Sequence, residues 1–466
     1  MDEARLDSKG PKQSDRCLIQ FALQSTMGGS QMIRRIIPVV CLLLLWRPAA
    51  FSEVRPTVIR DVTVIDGTGS APRMHMTVVV SGHQISAVTS SRETPAVPDA
   101  RVIEGAGKFL IPGLWDMHVH LSKAGENSLP LFIANGVTSV RDMGGDLELL
   151  AKWRAEIEAG KRTGPRIKMA GPMLETSAKI EQMRRDAGVE PFERFRIGIG
   201  SPEQVESIVE RLARNGVDFL KIRSVASDET YRAIGAAVRK HGLTLVGHPV
   251  ASPEEMLRVG QRSMEHGFYP PLANRSAEQR RDLFRQFASN GMAMVPTFVV
   301  GEALRVPYAQ MKAITEDTEG RLDPRRKYLS GYIIEDWKEQ VEEQKEPWPG
   351  LQEYLKTQRE DVRAMFEAGV RIMPGTDTAV VLIWPGSSLH DELRIFVQQL
   401  GMAPMQAIVS ATRTAEFFGI QDTVGTVEKG KIADLVLLES DPVENITNIT
   451  RIAAVMQGGK LFDLER

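Results

Sequence analysis

From Thr57 to Ser90 the stretch TVIRDVTVIDGTGSAPRMHMTVVVSGHQISAVTS alternates apolar and polar residues in short runs broken by Gly and Asp. Period-two alternation between turn residues is the pattern of half-buried antiparallel strands. The C-terminal stretch GTVEKGKIADLVLLESDPVENITNITRIAAVMQGGKLFD has the same texture. The two ends are therefore expected to pair into one small β-sandwich domain, residues 53–110 plus 423–466.

Between them the pattern changes. Short apolar runs followed by helical patterns occur around Leu114–His118, Thr138–Asp142, Arg166–Gly171, Phe219–Ile222, Thr244–His248, Ser263–His266, Ala293–Thr297 and Arg371–Asp377. Helix starts are marked by Ser201-Pro202-Glu203, Ser252-Pro253-Glu254 and Ser276, and VESIVERLARNGV carries apolar residues at helical spacing. Eight strand–helix units in one chain, with strands too apolar to face water on either side, predict an α/β fold, a (β/α)8 TIM barrel over residues 111–422.

Residues 1–52 read as a leader. From Met32 there is a basic start at Arg34 and Arg35, an apolar run from Ile36 to Trp46, and small residues ending at Ser52. That order is a signal peptide, and the run is far shorter than the roughly 20 residues of a spanning helix. The expected protein is exported, periplasmic or secreted, without a stable membrane anchor. Its two cysteines, Cys17 and Cys41, both lie in this leader, so the remainder has neither disulfide nor thiolate ligand. With 58 Lys and Arg against 60 Asp and Glu, the formal charge of −2 gives no footprint for nucleic acid. The expected partner is a small-molecule substrate, with an oligomer left open.

In a barrel of this kind the C-terminal strand ends converge on one mouth, where active sites are built. Four of the eight histidines fall on such ends: His118 and His120 on the first strand, His248 on the fifth, His266 on the sixth. Asp377 closes the eighth. Residues two apart on a strand point the same way, so His118 and His120 can hold one ion together. The pair alone would equally suit a packed core. Lys221 lies in the apolar fourth strand, where desolvation disfavours its charged form and leaves a nucleophilic amine. Its other role would be a salt bridge to Asp218 or Asp377. Arg223 shares the face of Lys221 nearer the mouth, where a guanidinium would suit a substrate carboxylate. Arg184, Arg185, Arg194 and Arg196 follow the third strand, as pocket residues or as a solvated face. His390, at a helix start after the last strand, is a candidate for the mouth or a structural residue.

The motifs GLWDMHVH, DFLKI, GHP, EHG and GTD, in that order, resemble the amidohydrolase superfamily. The likeness runs from about residue 56 to the end. PGSSLHDEL, GMAPMQAIVSATRTAEFFGI and GTVEKGKIADLVLL resemble its imidazolonepropionase and prolidase-like branch. The resemblance implies two divalent ions, usually zinc, bridged by a carbamate on Lys221. His118, His120 and Asp377 would hold the first ion and His248 and His266 the second, with Asp377 as general acid–base in hydrolysis of an amide, cyclic amide or dipeptide. A lactone or ester hydrolase, or a one-metal deaminase, is the alternative on this fold, and the bridging lysine argues against the deaminase. A non-catalytic binding protein would show losses among the ligands, and none is lost. Two segments, 171–200 and 301–350, exceed ordinary loop lengths and are expected to cover the mouth. The first lacks the Gly-Gly-His-Gly run of many dipeptidases of this branch, so the resemblance does not narrow the substrate to peptides.

Overall fold

The computed structural model describes residues 55–463 apart from 95, 188–191, 269–271, 273 and 346–347. The expected leader, residues 1–52, with the signal peptide read from Met32, lies outside the described residues.

Both chain ends meet in one eight-stranded sheet. Thr57–Val64, Arg73–Ser81 and Gln84–Ser90 form an antiparallel meander, and Arg101–Glu104 pairs alongside the first of them. Ser81 faces Gln84 across a two-residue turn in which Gly82 takes φ +60°, the backbone that a tight hairpin needs and glycine supplies without strain. Phe109–Pro112 then joins the ends: it runs parallel to Thr57–Val64 and antiparallel to Leu435–Leu438, which continues into Ile452–Gln457 and Lys460–Asp463.

The middle of the chain is α/β with parallel strands. All eight runs anticipated from the apolar pattern contain strands: Leu114–Val119, Val137–Asp142, Arg166–Met169, Leu220–Ile222, Leu245–Gly247, Ser263–Glu265, Ala293–Val295 and Arg371–Ile372. They fall into a three-stranded and a seven-stranded sheet. Hydrogen bonds also link the two sheets. Met117 N donates to Pro374 O at 2.9 Å and Asp377 N to His118 O at 2.7 Å on one side. On the other, Asp218 N donates to Met169 O at 2.9 Å. The first two strands are buried along their whole length, as the apolar runs required.

The long segment after the third strand is more ordered than a loop. Met173–Thr176 and Arg196–Ile199 pair in parallel and extend the seven-stranded sheet, with the helix Ser177–Ala187 between them. Four-residue strands with mixed burial are too short to show a period in the sequence. Helix starts follow local chemistry. Ser252 accepts from Glu255 N ahead of Pro253, and Ser276 forms a capping box with Gln279. Ser201 differs: it precedes a short 3-10 turn, Pro202–Gln204, and makes no side-chain cap. Among the described residues no helix is long and apolar enough to cross a membrane.

Candidate metal centre

Six side chains anticipated as ligands stand at C-terminal strand ends. His118 lies on Leu114–Val119 and His120 just beyond it; Lys221 is the middle residue of Leu220–Ile222. His248 and His266 directly follow Leu245–Gly247 and Ser263–Glu265, and Asp377 follows the eighth strand. His266 and Asp377 take left-handed backbone angles, φ +66° and +59°, which cost energy in residues with a Cβ. Neighbouring strands hold them there, His266 N donating to Val295 O at 2.9 Å and Asp377 N to His118 O. These turns aim both side chains back over the strand ends.

The groups converge. Donor atoms of His118, His120 and Asp377 all lie within 4.8 Å of one another. Asp377 Oδ1 is 3.4 Å from His118 Nε2 and 3.3 Å from His120 Nε2, and its Oδ2 is 3.9 Å from His266 Nε2. The His266 ring lies 4.8 Å from that of His118 and 5.0 Å from that of His248. Lys221 Nζ lies 3.2 Å from His118 Nε2. Three imidazoles are oriented by an acceptor at Nδ1: Glu265 for His118, the Gly144 carbonyl for His120 and the Thr297 hydroxyl for His266, at 2.9, 2.8 and 2.8 Å. Their Nε2 atoms are left for the centre, which is how histidine ligands are normally prepared.

Burial sets the charge states. It lowers His266 to about 4 and holds His118 and His248 well below the usual imidazole range, helped by Lys221 beside them. Neutral imidazole is the form that binds metal. Burial also brings Lys221 down to about 8. Among the described residues Lys221 has no ion pair within 4 Å, and Asp218 is bonded instead to Arg154 and Lys168 at 3.0 and 2.8 Å. The salt-bridge role therefore does not hold for Asp218. Burial pushes the Asp377 carboxyl up, but His118 and the hydrogen bond with His120 more than offset this and hold it well below the usual carboxylate range. Imidazoles held neutral at His118, His248 and His266, an ionised carboxylate, and a buried lysine without an acid partner among the described residues form a donor set that fits divalent metal.

Arg223 does line the cavity of about 720 Å³ above the centre, with His248, His266 and Asp377. It also bonds Glu175 at 3.3 Å, and Arg196 holds the same carboxylate at 2.6 Å. Two guanidiniums thus share one acid. Arg194 is exposed and pairs with Asp146. The segment after the seventh strand contributes Gly301, Trp348 and other wall residues, as its length suggested.

His390 is a correction. It is buried on the helix Ser387–Ile395, and its Nε2 is 2.9 Å from the carbonyl of Asn135, two residues before the second strand begins. That is the opposite end of the strands from the ligands, so His390 does not line the mouth. The sequence showed that a helix starts here but not which end of the strands its histidine faces.

Three buried charged residues were missed. Asp116 accepts from the Thr376 hydroxyl at 2.6 Å and from the Thr376 and His118 amides at 3.0 and 3.2 Å, pinning the eighth strand against the first. Burial raises its carboxyl to about 7 against the pull of these bonds. Glu265 and Arg141 are both fully buried and bonded to each other. Charged residues inside otherwise apolar strands were the available signal, since such groups persist only when paired.

The chain is similar to ochratoxinase from Aspergillus niger, at 24% identity over 89% of this chain and 88% of that protein. Imidazolonepropionase from Shouchella clausii is 32% identical over 122 residues, 24% of this chain and 26% of that protein. The crystal structure of a Xaa-Pro dipeptidase with bound methionine in its active site superposes with a TM-score of 0.67 at 22% identity, covering 88% of this chain and all of that one. The sequence pattern of the Amidohydrolase family matches residues 109–462, about three quarters of the 466 residues and the whole of the centre just described. This chain belongs to the Amidohydrolase family.

Proposed function

We propose that the protein is an exported hydrolase of an amide, cyclic amide or dipeptide C–N bond in a small molecule with a free carboxylate, using two divalent ions, zinc by assignment. The observation that carries this is the convergence of His118, His120 and Asp377 within 4.8 Å, with Lys221 buried beside them and without an acid partner among the described residues. His118, His120 and Asp377 would hold the first ion and His248 and His266 the second. Lys221 would join them after its neutral amine attacks carbon dioxide, forming an N–C bond and releasing one proton. Such a pair of ions supplies an acidified water and a polarised carbonyl.

The side chains do the rest. Asp377 takes the proton of the attacking water on a carboxylate oxygen and delivers it to the leaving nitrogen. Arg223 holds the carboxylate in two-bond geometry, oriented by Glu175 and backed by Arg196. Leu304, Trp348 and Tyr354 also line the cavity, and their apolar surfaces would keep water from the bond being split. The hydrogen bonds between the two parallel sheets support a closed (β/α)8 barrel. One core shared by Ile59, Val78, Leu110, Leu435 and Met456 supports a terminal sheet folded over as a β-sandwich. The dipeptidase among the fold neighbours supports a peptide-like substrate.

The test is a panel of N-acyl amino acids, dipeptides and lactones, followed by amide-capped analogues of any active carboxylate, in wild type and Arg223→Met. Capping should lower wild-type kcat/KM at least tenfold, and Arg223→Met should erase that preference. Turnover of lactones alone would overturn the C–N assignment. Equal losses on both analogues in Arg223→Met would make the arginine structural.

A further inference from the structure

The fully buried Arg141 guanidinium spans three strands. From Val137–Asp142 its Nε donates to Met117 O on the first strand at 2.6 Å. Its Nη1 donates to Ser263 Oγ on the sixth strand at 2.9 Å, and its Nη2 reaches both oxygens of Glu265 at 2.8 and 2.9 Å. Ser263 Oγ also donates to Glu265, at 2.6 Å. The guanidinium carbon lies over the rings of Phe219 and Phe417, at 5.8 and 5.4 Å. An unpaired charge here would be strongly destabilising, yet apolar residues could fill the same space without any. What the charges accomplish is visible at the remaining contact: Glu265 Oε2 is 2.9 Å from His118 Nδ1.

We infer that Arg141 and Glu265 are a positioning pair for the metal centre, fixing His118 in the tautomer that carries its proton on Nδ1 and presents Nε2 as a ligand. Two independent contacts agree. A carboxylate on which Arg141 and Ser263 already converge as donors can only accept from His118 Nδ1. On the other side of the ring, Nε2 lies 3.2 Å from Lys221 Nζ, which can donate to it, and this suits the same tautomer. His118 differs in this from His120 and His266, which are oriented by a backbone carbonyl and a hydroxyl. A carboxylate at Nδ1 raises the basicity of Nε2 as well as holding the ring, and loss of such partners typically lowers metal affinity about 10–100-fold.

This inference rests on the assignment of His118 to a metal, and zinc titration of the metal-free full chain against a chromophoric chelator separates the two. Wild type should bind zinc tightly. Glu265→Gln and Arg141→Met should weaken one class of site about 10–100-fold. The double variant should be no weaker than the worse single one, with circular dichroism and the melting temperature of the metal-free protein close to wild type. Should either single variant fail to fold, Ser263→Ala, which removes one donor to Glu265, must weaken the same class of site. Zinc affinities within twofold of wild type in the folded variants would overturn the positioning role. A wild type that binds no zinc would instead overturn the metal assignment itself.

Discussion

Lys221 concentrates the chemistry of the centre in one side chain. An amine in the interior is normally neutralised by an acid, but among the described residues this one meets a ring nitrogen of His118 instead. With burial bringing it to about 8, a useful fraction is neutral at pH 7.5, the form that reacts with carbon dioxide. Lys221→Ala should lose metal and reduce kcat by about 100-fold or more, the scale of losing a principal electrostatic group. A short carboxylic acid such as acetate should restore part of both by standing in for the carbamate. An alanine variant that keeps its metal content and activity would remove Lys221 from the site.

At the scale of elements, the wall of the cavity depends on a carboxylate remote from the ligands. Glu392, fully buried on Ser387–Ile395, accepts from Phe298 N and Val299 N at 3.0 and 2.9 Å, capping the helix Phe298–Ala303 that carries Val300 and Gly301 into the pocket. Burial raises its carboxyl to about 8, against the pull of these two amides. A carboxyl raised from 4.5 to about 8 on folding binds a proton in the folded state that the unfolded chain has released. Its stabilising contribution is therefore fully present below pH 4.5 and is lost as pH rises toward 8. Gln at 392 keeps an oxygen for one of the two amides, which bond different carboxylate oxygens in the wild type, and does not titrate. The melting temperature of Glu392→Gln relative to wild type should thus climb between pH 5 and 8, by an amount corresponding to about 1–4 kcal/mol. Parallel melting curves across that range would show that Glu392 does not titrate in the window.

The elements also show what local pattern can and cannot reveal. The eight strands and the six residues of the centre were legible because each strand is an apolar run and each of the six is a polar residue within one or just beyond it. Ser252 and Ser276 were legible because a helix cap is a contact within four residues. Glu265, Arg141 and Asp116 were not, because their partners lie on other strands: Arg141 meets Glu265 across 124 positions and Asp116 meets Thr376 across 260. No period or spacing encodes such pairings. His390 failed for a related reason, its orientation being set by packing against Asn135.

For the whole molecule, the C-terminal sheet strands return to the N-terminal ones through Leu435–Leu438 and Phe109–Pro112, immediately before the first ligand strand. The parallel α/β part of the described residues is thus entered and left through one sheet. If the segment from Met32 is a signal peptide, residues 32–60 fused to a reporter active only outside the cytoplasm should give signal and a cleaved product. An uncleaved cytoplasmic product would contradict export.

The central claim is that these ligands hold two ions, not one. Elemental analysis of protein expressed from Glu53 and incubated with zinc and bicarbonate measures this directly. Five side chains and a carbamated Lys221 should retain close to two metal ions per chain. A value near one, unchanged by added zinc and bicarbonate, would contradict the two-metal centre.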